Sequence, residues 1–242
     1  MLKKISFTPF IVVAIPALLT ACGGGGSTTT TTTVTTVTPV ATNFPLNTLY
    51  TNLFTTAHSF SLTGSMSTAP GVLVTRDRTI TPGGNSVFEG VAVNTATVTD
   101  HMTVQGGSPQ PTFRFTYSFK VGSYKDIGLS GDGGYGVYAN QVALPTTAKI
   151  GDFGNFSTVT TYTDSTKKTV GSTGVLTWTL EAGPTANTAY FCTSNMATLA
   201  DKSNAAEKIC YQTDSNGTFG GKITDDTKFI SGGTTTTLNL AN

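Results

Sequence analysis

The chain has 242 residues, of which 11 % are charged and 27 are Gly, and about one residue in five is Thr. Helices lean on Ala, Leu, Glu, Lys, Gln and Arg, whereas Thr and aromatic residues favour pleated surfaces, so this composition argues against a coiled coil, a helical repeat array or a helical bundle. A formal charge of +1 supplies no basic field, which argues against a nucleic-acid partner.

Met1-Leu2-Lys3-Lys4 is a short positive start, and residues 5–19 form an apolar stretch interrupted by Pro9 and Pro16. A membrane-spanning helix needs about 20 apolar residues, so this stretch is short for one. A positive start, a short apolar core and small residues at its end read as a secretory signal. Leu19-Thr20-Ala21-Cys22 then resembles the lipobox of bacterial lipoproteins. The resemblance covers the first 26 residues or so and none of the remaining chain. It implies cleavage before Cys22, acylation of its thiol and amino group, and a membrane partner reached through that anchor. The plainer alternative is an ordinary signal with an incidental Cys. Two or more acyl chains make such an anchor stable, where one is marginal. Gly23 stands where lipoproteins retained in the inner membrane often carry Asp, which points the address towards the outer membrane. Cleavage takes Lys3 and Lys4 away and leaves the remainder close to neutral.

Residues 22–42 read as a tether. A Gly run at 23–26, a Thr run at 28–33 and a Val/Thr/Pro mixture have little to bury and no charge, so this segment is expected to be disordered. About 20 flexible residues span on the order of 25 Å. Residues 43–242 contain no second linker and fit one all-β domain.

That domain opens with the one convincing helical stripe. Leu46, Leu49, Tyr50, Leu53 and Phe54 share a helix face, and Pro45 suits the first turn. At His58 the period changes to two, so a helix feeds directly into a strand. Phe113, Phe115, Tyr117, Phe119 and Val121 alternate with polar residues, as do Leu176, Trp178 and Leu180. Further strands are expected at 72–80, 87–104, 135–142, 156–163, 187–192, 209–213, 220–224 and 234–240. Turns are expected at 82–85, 106–109, 164–168 and 214–217, the last with the Asn-Gly pair that tight hairpins prefer. Residues 194–207, rich in Ala and polar side chains, suggest a helical turn or two. The fold class is therefore mainly β: a single antiparallel meander of about ten strands, curled into a sheet or barrel, with one N-terminal amphipathic helix. An outer-membrane barrel is disfavoured because few candidates reach 9–11 residues and the chain ends in Leu238-Asn239-Leu240-Ala241-Asn242 rather than in an aromatic.

Cys192 and Cys210 are the cysteines left once Cys22 is acylated, and two cysteines in an exported chain pair by default. Their spacing is too wide for a CxxC redox site, and no His lies nearby in sequence to suggest a metal. No catalytic constellation emerges. Asp100 and His101 are strand neighbours that point to opposite faces, and His58 falls at the helix–strand junction. Ser165-Thr166-Lys167-Lys168 has the Ser-x-x-Lys spacing of penicillin-recognising enzymes but lies in a polar turn, without their companion motifs. The carboxylates are scattered, and Asp214-x-Asn216-Gly217 lacks a calcium-loop spacing. No cofactor or metal is expected. The Gly-rich stretch 131–136 reads as a bend, a bulge or a flexible loop, and Tyr124, Tyr135 and Tyr138 around it form a candidate binding rim for a sugar or peptide. The expected function is that of a lipid-anchored, non-catalytic binding or structural module, with a protein, glycan or lipid as its ligand. The alternative is a carrier of an apolar ligand, similar in outline to the half-barrel lipoprotein carriers of the periplasm. That alternative requires an enclosed apolar cavity of several hundred Å³, as an order of magnitude.

Overall fold

The computed structural model describes residues 42–107, 110–123 and 125–242. The segment expected to be a signal, Cys22 and the expected tether up to residue 41 lie outside them. After α1 (Leu46–Thr55) come β1 (His58–Met66), β2 (Ala69–Phe88), β3 (Val91–Val104), β4 (Thr112–Lys120), β5 (Asp126–Gly131) and β6 (Gly134–Ala139). They are followed by β7 (Phe153–Tyr162), β8 (Val170–Ala182), β9 (Thr188–Leu199), β10 (Asn204–Asp214), β11 (Phe219–Ser231) and β12 (Thr234–Ala241). Each strand pairs antiparallel with its neighbours in sequence, and β12 returns to β1, which closes a twelve-stranded barrel. At that seam Gly64 faces Leu240 so closely that a Cβ on Gly64 would collide with the carbonyl of Asn239. Only glycine permits this approach.

Strand alternation sets what the barrel contains. On β2, Val74, Arg76, Arg78 and Ile80 are buried inside, while Thr75, Asp77 and Thr79 face outward. On β8, Trp178 and Leu180 are inside and Thr177, Thr179 and Glu181 outside. The interior is thus aromatic and aliphatic with a charged centre, and the outer wall is mostly hydroxylic and charged, with scattered apolar residues such as Leu73, Val175 and Met196. A lipid-embedded barrel has the reverse pattern, with an apolar outer band. Strand length does not make that distinction, since β2, β3, β8 and β11 are 20, 14, 13 and 13 residues long.

The helix plugs one mouth. Tyr50 lies 5.0 Å, centroid to centroid, from Phe156 on β7 and 6.3 Å from both Phe119 on β4 and Phe191 on β9. Phe54 is 4.5 Å from Phe119. Contacts to strands on separate parts of the wall require the helix to sit within the opening. A bridge from Phe44 to Ala148 and a bond from Asn52 Nδ2 to the Gly217 carbonyl (3.4 Å) fasten it to the rim. Pro45 is the N-cap rather than the first helical residue.

Three local expectations need correction. Residues 82–85 are not a turn: β2 continues through them with an irregular register, and the chain reverses at Glu89-Gly90, both at positive φ (50° and 76°). Residues 194–207 are not helical: β9 and β10 run through most of them, placing Asn195, Ala197, Ala205 and Glu207 on the inner face. Small Ala side chains fit that crowded wall, and tertiary packing overrides their helix preference. The stretch 131–136 is the tight β5–β6 hairpin rather than a flexible loop.

Candidate functional site

Cys192 and Cys210 occupy directly opposed positions on β9 and β10 and are joined by a disulfide. It lies on the outer side of the wall, opposite in phase to the inward-facing Phe191 and Tyr211. Glu181 comes within 4.8 Å of both sulfurs, and its carboxylate is paired with Lys208 at 2.6 Å. Sulfurs bonded to each other are not thiolates, so this trio is no metal site.

The expected tyrosine rim does not form as one exposed cluster. Tyr124 lies outside the described residues. Tyr138 is 6 % exposed and faces the barrel interior. Tyr135, three residues earlier, is on the outer wall, because odd separations along a strand change face. Its ring stacks on Phe88 (4.9 Å, 15°), and its hydroxyl donates to Glu89 at 2.6 Å. Glu89 also pairs with Lys167 at 2.6 Å, so the β2–β3 hairpin tip occupies this face.

The other sequence candidates separate as well. Asp100 points inward, whereas His101 points outward and meets Thr112 Oγ1 at 3.0 Å. His58 packs edge-on to Phe219 at 5.2 Å, and its Nε2 lies 3.2 Å from the Asn52 carbonyl oxygen. Asp214 accepts bonds from the backbone of Asn216 and Thr218, both at 2.9 Å, which is turn chemistry. Ser165 to Lys168 form the tip between β7 and β8.

The interior brings together residues that no sequence motif links. Asp100 on β3 chelates Arg78 with two bonds of 2.8 Å and Arg76 with bonds of 3.1 and 2.8 Å. Arg76 reaches Glu207 on β10 at 2.8 Å and pairs with Asp225 on β11. The network links β2 and β3 to β10 and β11 through the interior, past β1 and β12. Burial alone would raise the Asp100 carboxyl, but Arg78 and Arg76 outweigh it and hold Asp100 well below the usual carboxylate range. At Glu207 burial prevails over Arg76, and its carboxyl is raised.

Nearer the plugged mouth, Tyr50 donates a 2.8 Å bond to Asp126. Burial pushes the Asp126 carboxyl up to about 7, with the tyrosine bond acting in the opposite direction. Two spaces meet here. One is an interior cavity of about 100 Å³ whose wall includes Asp126, Arg78, Glu207, Asn195, Tyr117 and Tyr138. The other is a cleft of about 320 Å³ at the mouth, between α1, the β4–β5 turn and residues 142–144. Tyr50 and Phe156 line both and form the partition between them. The interior cavity is smaller than the roughly 150 Å³ that admits benzene in an engineered apolar cavity, and its wall is partly ionic. An acyl chain does not fit it.

The signal for this site is present in the sequence but unreadable as such. Arg76 and Arg78 sit at inward positions of an alternating strand, yet their partners lie as many as 149 residues away. Comparison with known proteins finds no matching family model, no matching curated protein and no matching solved structure.

Proposed function

We propose that the protein is a lipoprotein of the bacterial cell envelope, anchored in the outer membrane through acyl chains on Cys22, whose barrel is a non-catalytic binding module. The reading places a small ligand at the helix-plugged mouth rather than on the outer wall. Its main support is the 320 Å³ cleft beside α1, which adjoins the buried Tyr50–Asp126 pair. Concave sites with a few convergent polar groups and a perturbed carboxyl are the usual ligand sites of a domain. The lipobox at Leu19-Thr20-Ala21-Cys22 supports the anchor. The described chain enters the barrel at the helix-plugged mouth, so a tether would leave from that end.

Two measurements test the reading. Labelled palmitate should enter the wild-type chain and not a Cys22→Ala variant, and label in the variant would overturn the anchor. Screening a library of small envelope metabolites against the isotope-labelled full chain should move the amide resonances of Asn47, Ser123 and Ala143. Hits that leave these residues unmoved and perturb only the outer wall would overturn the mouth site.

A further inference from the structure

Among the described residues, Lys125 is the only charged one on the wall of the mouth cleft. Its backbone is fixed by the β4–β5 turn. The Lys125 carbonyl accepts the Lys120 amide at 2.9 Å, and the Ser123 amide donates to the Lys120 carbonyl at 3.2 Å. No carboxylate of the described residues pairs with Lys125. Asp126, the next residue in the chain, is buried and held by the Tyr50 hydroxyl at 2.8 Å. The cleft therefore carries one cation and no counter-charge. A concave space lined by one sign of charge and by low-dielectric walls concentrates ions of the other sign.

The rest of the wall sets what else such an ion must carry. Facing the turn are the buried Leu144 and Val142, which is 52 % exposed and so leaves apolar surface uncovered. Phe156 and the Tyr50 ring close the inner side. Asn47 and Thr51, one turn apart on α1, add neutral polar groups. These walls are held in place: the Val142 amide donates to the Phe156 carbonyl at 2.8 Å, and the Phe44–Ala148 bridge fastens the end of the loop. A preformed space of about 320 Å³ lies at the small end of the range of ligand sites. A single ammonium group balances a single negative charge, and the apolar wall matches a short hydrocarbon or aromatic body.

We propose that the mouth cleft binds a small amphipathic monocarboxylate, with its anionic end at Lys125 and its apolar body along Val142, Leu144 and Phe156. The inference rests on the mouth reading above and names the chemical class that this site takes.

The test uses three probes with one tail and different heads, hexanoate, 1-hexanol and hexylammonium, together with acetate, which has the head and no tail. Each is titrated into the isotope-labelled full chain at pH 7. Hexanoate should shift the amides of Thr51, Ser123, Lys125 and Ala143 and bind about tenfold tighter than any of the others, the usual scale of one charge-assisted contact. Lys125→Gln should weaken hexanoate about tenfold and leave 1-hexanol unchanged, and Lys125→Arg should restore it. Lys168→Gln, on the tip between β7 and β8 at the other end of the barrel, should leave hexanoate binding as it is. Equal binding of the three six-carbon probes, preference for hexylammonium, or hexanoate binding that ignores Lys125→Gln would overturn the proposal. Acetate binding as tightly as hexanoate would remove the apolar half of it. If 1-hexanol moves the mouth amides as strongly as hexanoate, or the metabolite screen moves them only with neutral or cationic hits, the carboxylate preference falls and the mouth site stands. If neither the probes nor the screen move them, both fall.

Discussion

Phe88 at the tip of the β2–β3 hairpin lies directly over the backbone of Gly128 on β5, where a Cβ would collide with the ring. The same ring stacks on Tyr135, and Glu89 beside it binds both Tyr135 and Lys167. This glycine keeps the outer wall flat enough for the longest hairpin to fold back on it. Gly128→Val should displace the ring and destabilise the domain by about 1–3 kcal/mol, the usual cost of overpacking. Denaturant unfolding measures the loss, and protease cutting near residues 86–91 should become faster. An unchanged midpoint with an unchanged cleavage rate would refute the clasp.

Asp100 should be the most sensitive charged position. It holds two buried guanidinium groups at once. Asp100→Asn leaves both short of countercharge, and breaking a buried pair in this way costs about 3–5 kcal/mol. The sign of the pH effect follows from its lowered carboxyl. The stabilisation is present above the unfolded value of about 4 and is lost as pH falls towards the folded one. Acid unfolding of the wild type should therefore steepen below about pH 4, and that part of the curve should flatten in the variant.

Asp126 acts in the opposite sense. Its folded value of about 7 lies above the unfolded one, so the native barrel holds a proton that the unfolded chain releases. Its favourable contribution is complete below about pH 4, fades as pH rises and is gone above about pH 7, a loss of at most about 4 kcal/mol. Asp126→Asn should remove this slope and be more stable than the wild type at pH 8. Unfolding free energies across that range decide the point. A variant whose curve parallels the wild type would show that Asp126 does not titrate in this window.

The disulfide ties opposed residues of β9 and β10 and closes a short loop. Replacing both cysteines by Ala should lower stability by about 2–4 kcal/mol without opening the barrel. Far-ultraviolet circular dichroism should keep its strand signature while the unfolding midpoint drops. Loss of the strand signal at neutral pH would mean that closure itself depends on the bridge.

Much of the architecture was legible from local pattern. The stripe from Leu46 to Phe54 specified a helix because its period is a property of adjacent turns. The alternation at Phe113 to Phe119 and at Leu176 to Leu180 specified half-buried strands for the same reason. Turns escaped where tertiary contact governed them. Pro82-Gly83-Gly84-Asn85 has turn chemistry, yet it is carried through as an irregular strand because β3 pairs on both sides of it. Residues 194–207 look helical by composition, yet their Ala side chains serve a crowded wall.

The sequence by itself determined a neutral, hydroxyl-rich β meander headed by one amphipathic helix, because composition and periodicity are local quantities. It also holds Cys192 and Cys210, which the fold brings together as a disulfide. Closure of β12 on β1, the burial of Tyr138 and the covering of Tyr135 were decided only in three dimensions. So was the interior charge network, since β3, β10 and β11 approach β2 only once the barrel is wound. An ionic centre in a barrel lined with aromatic rings is a property of which inward positions face one another, and that is fixed by register and closure.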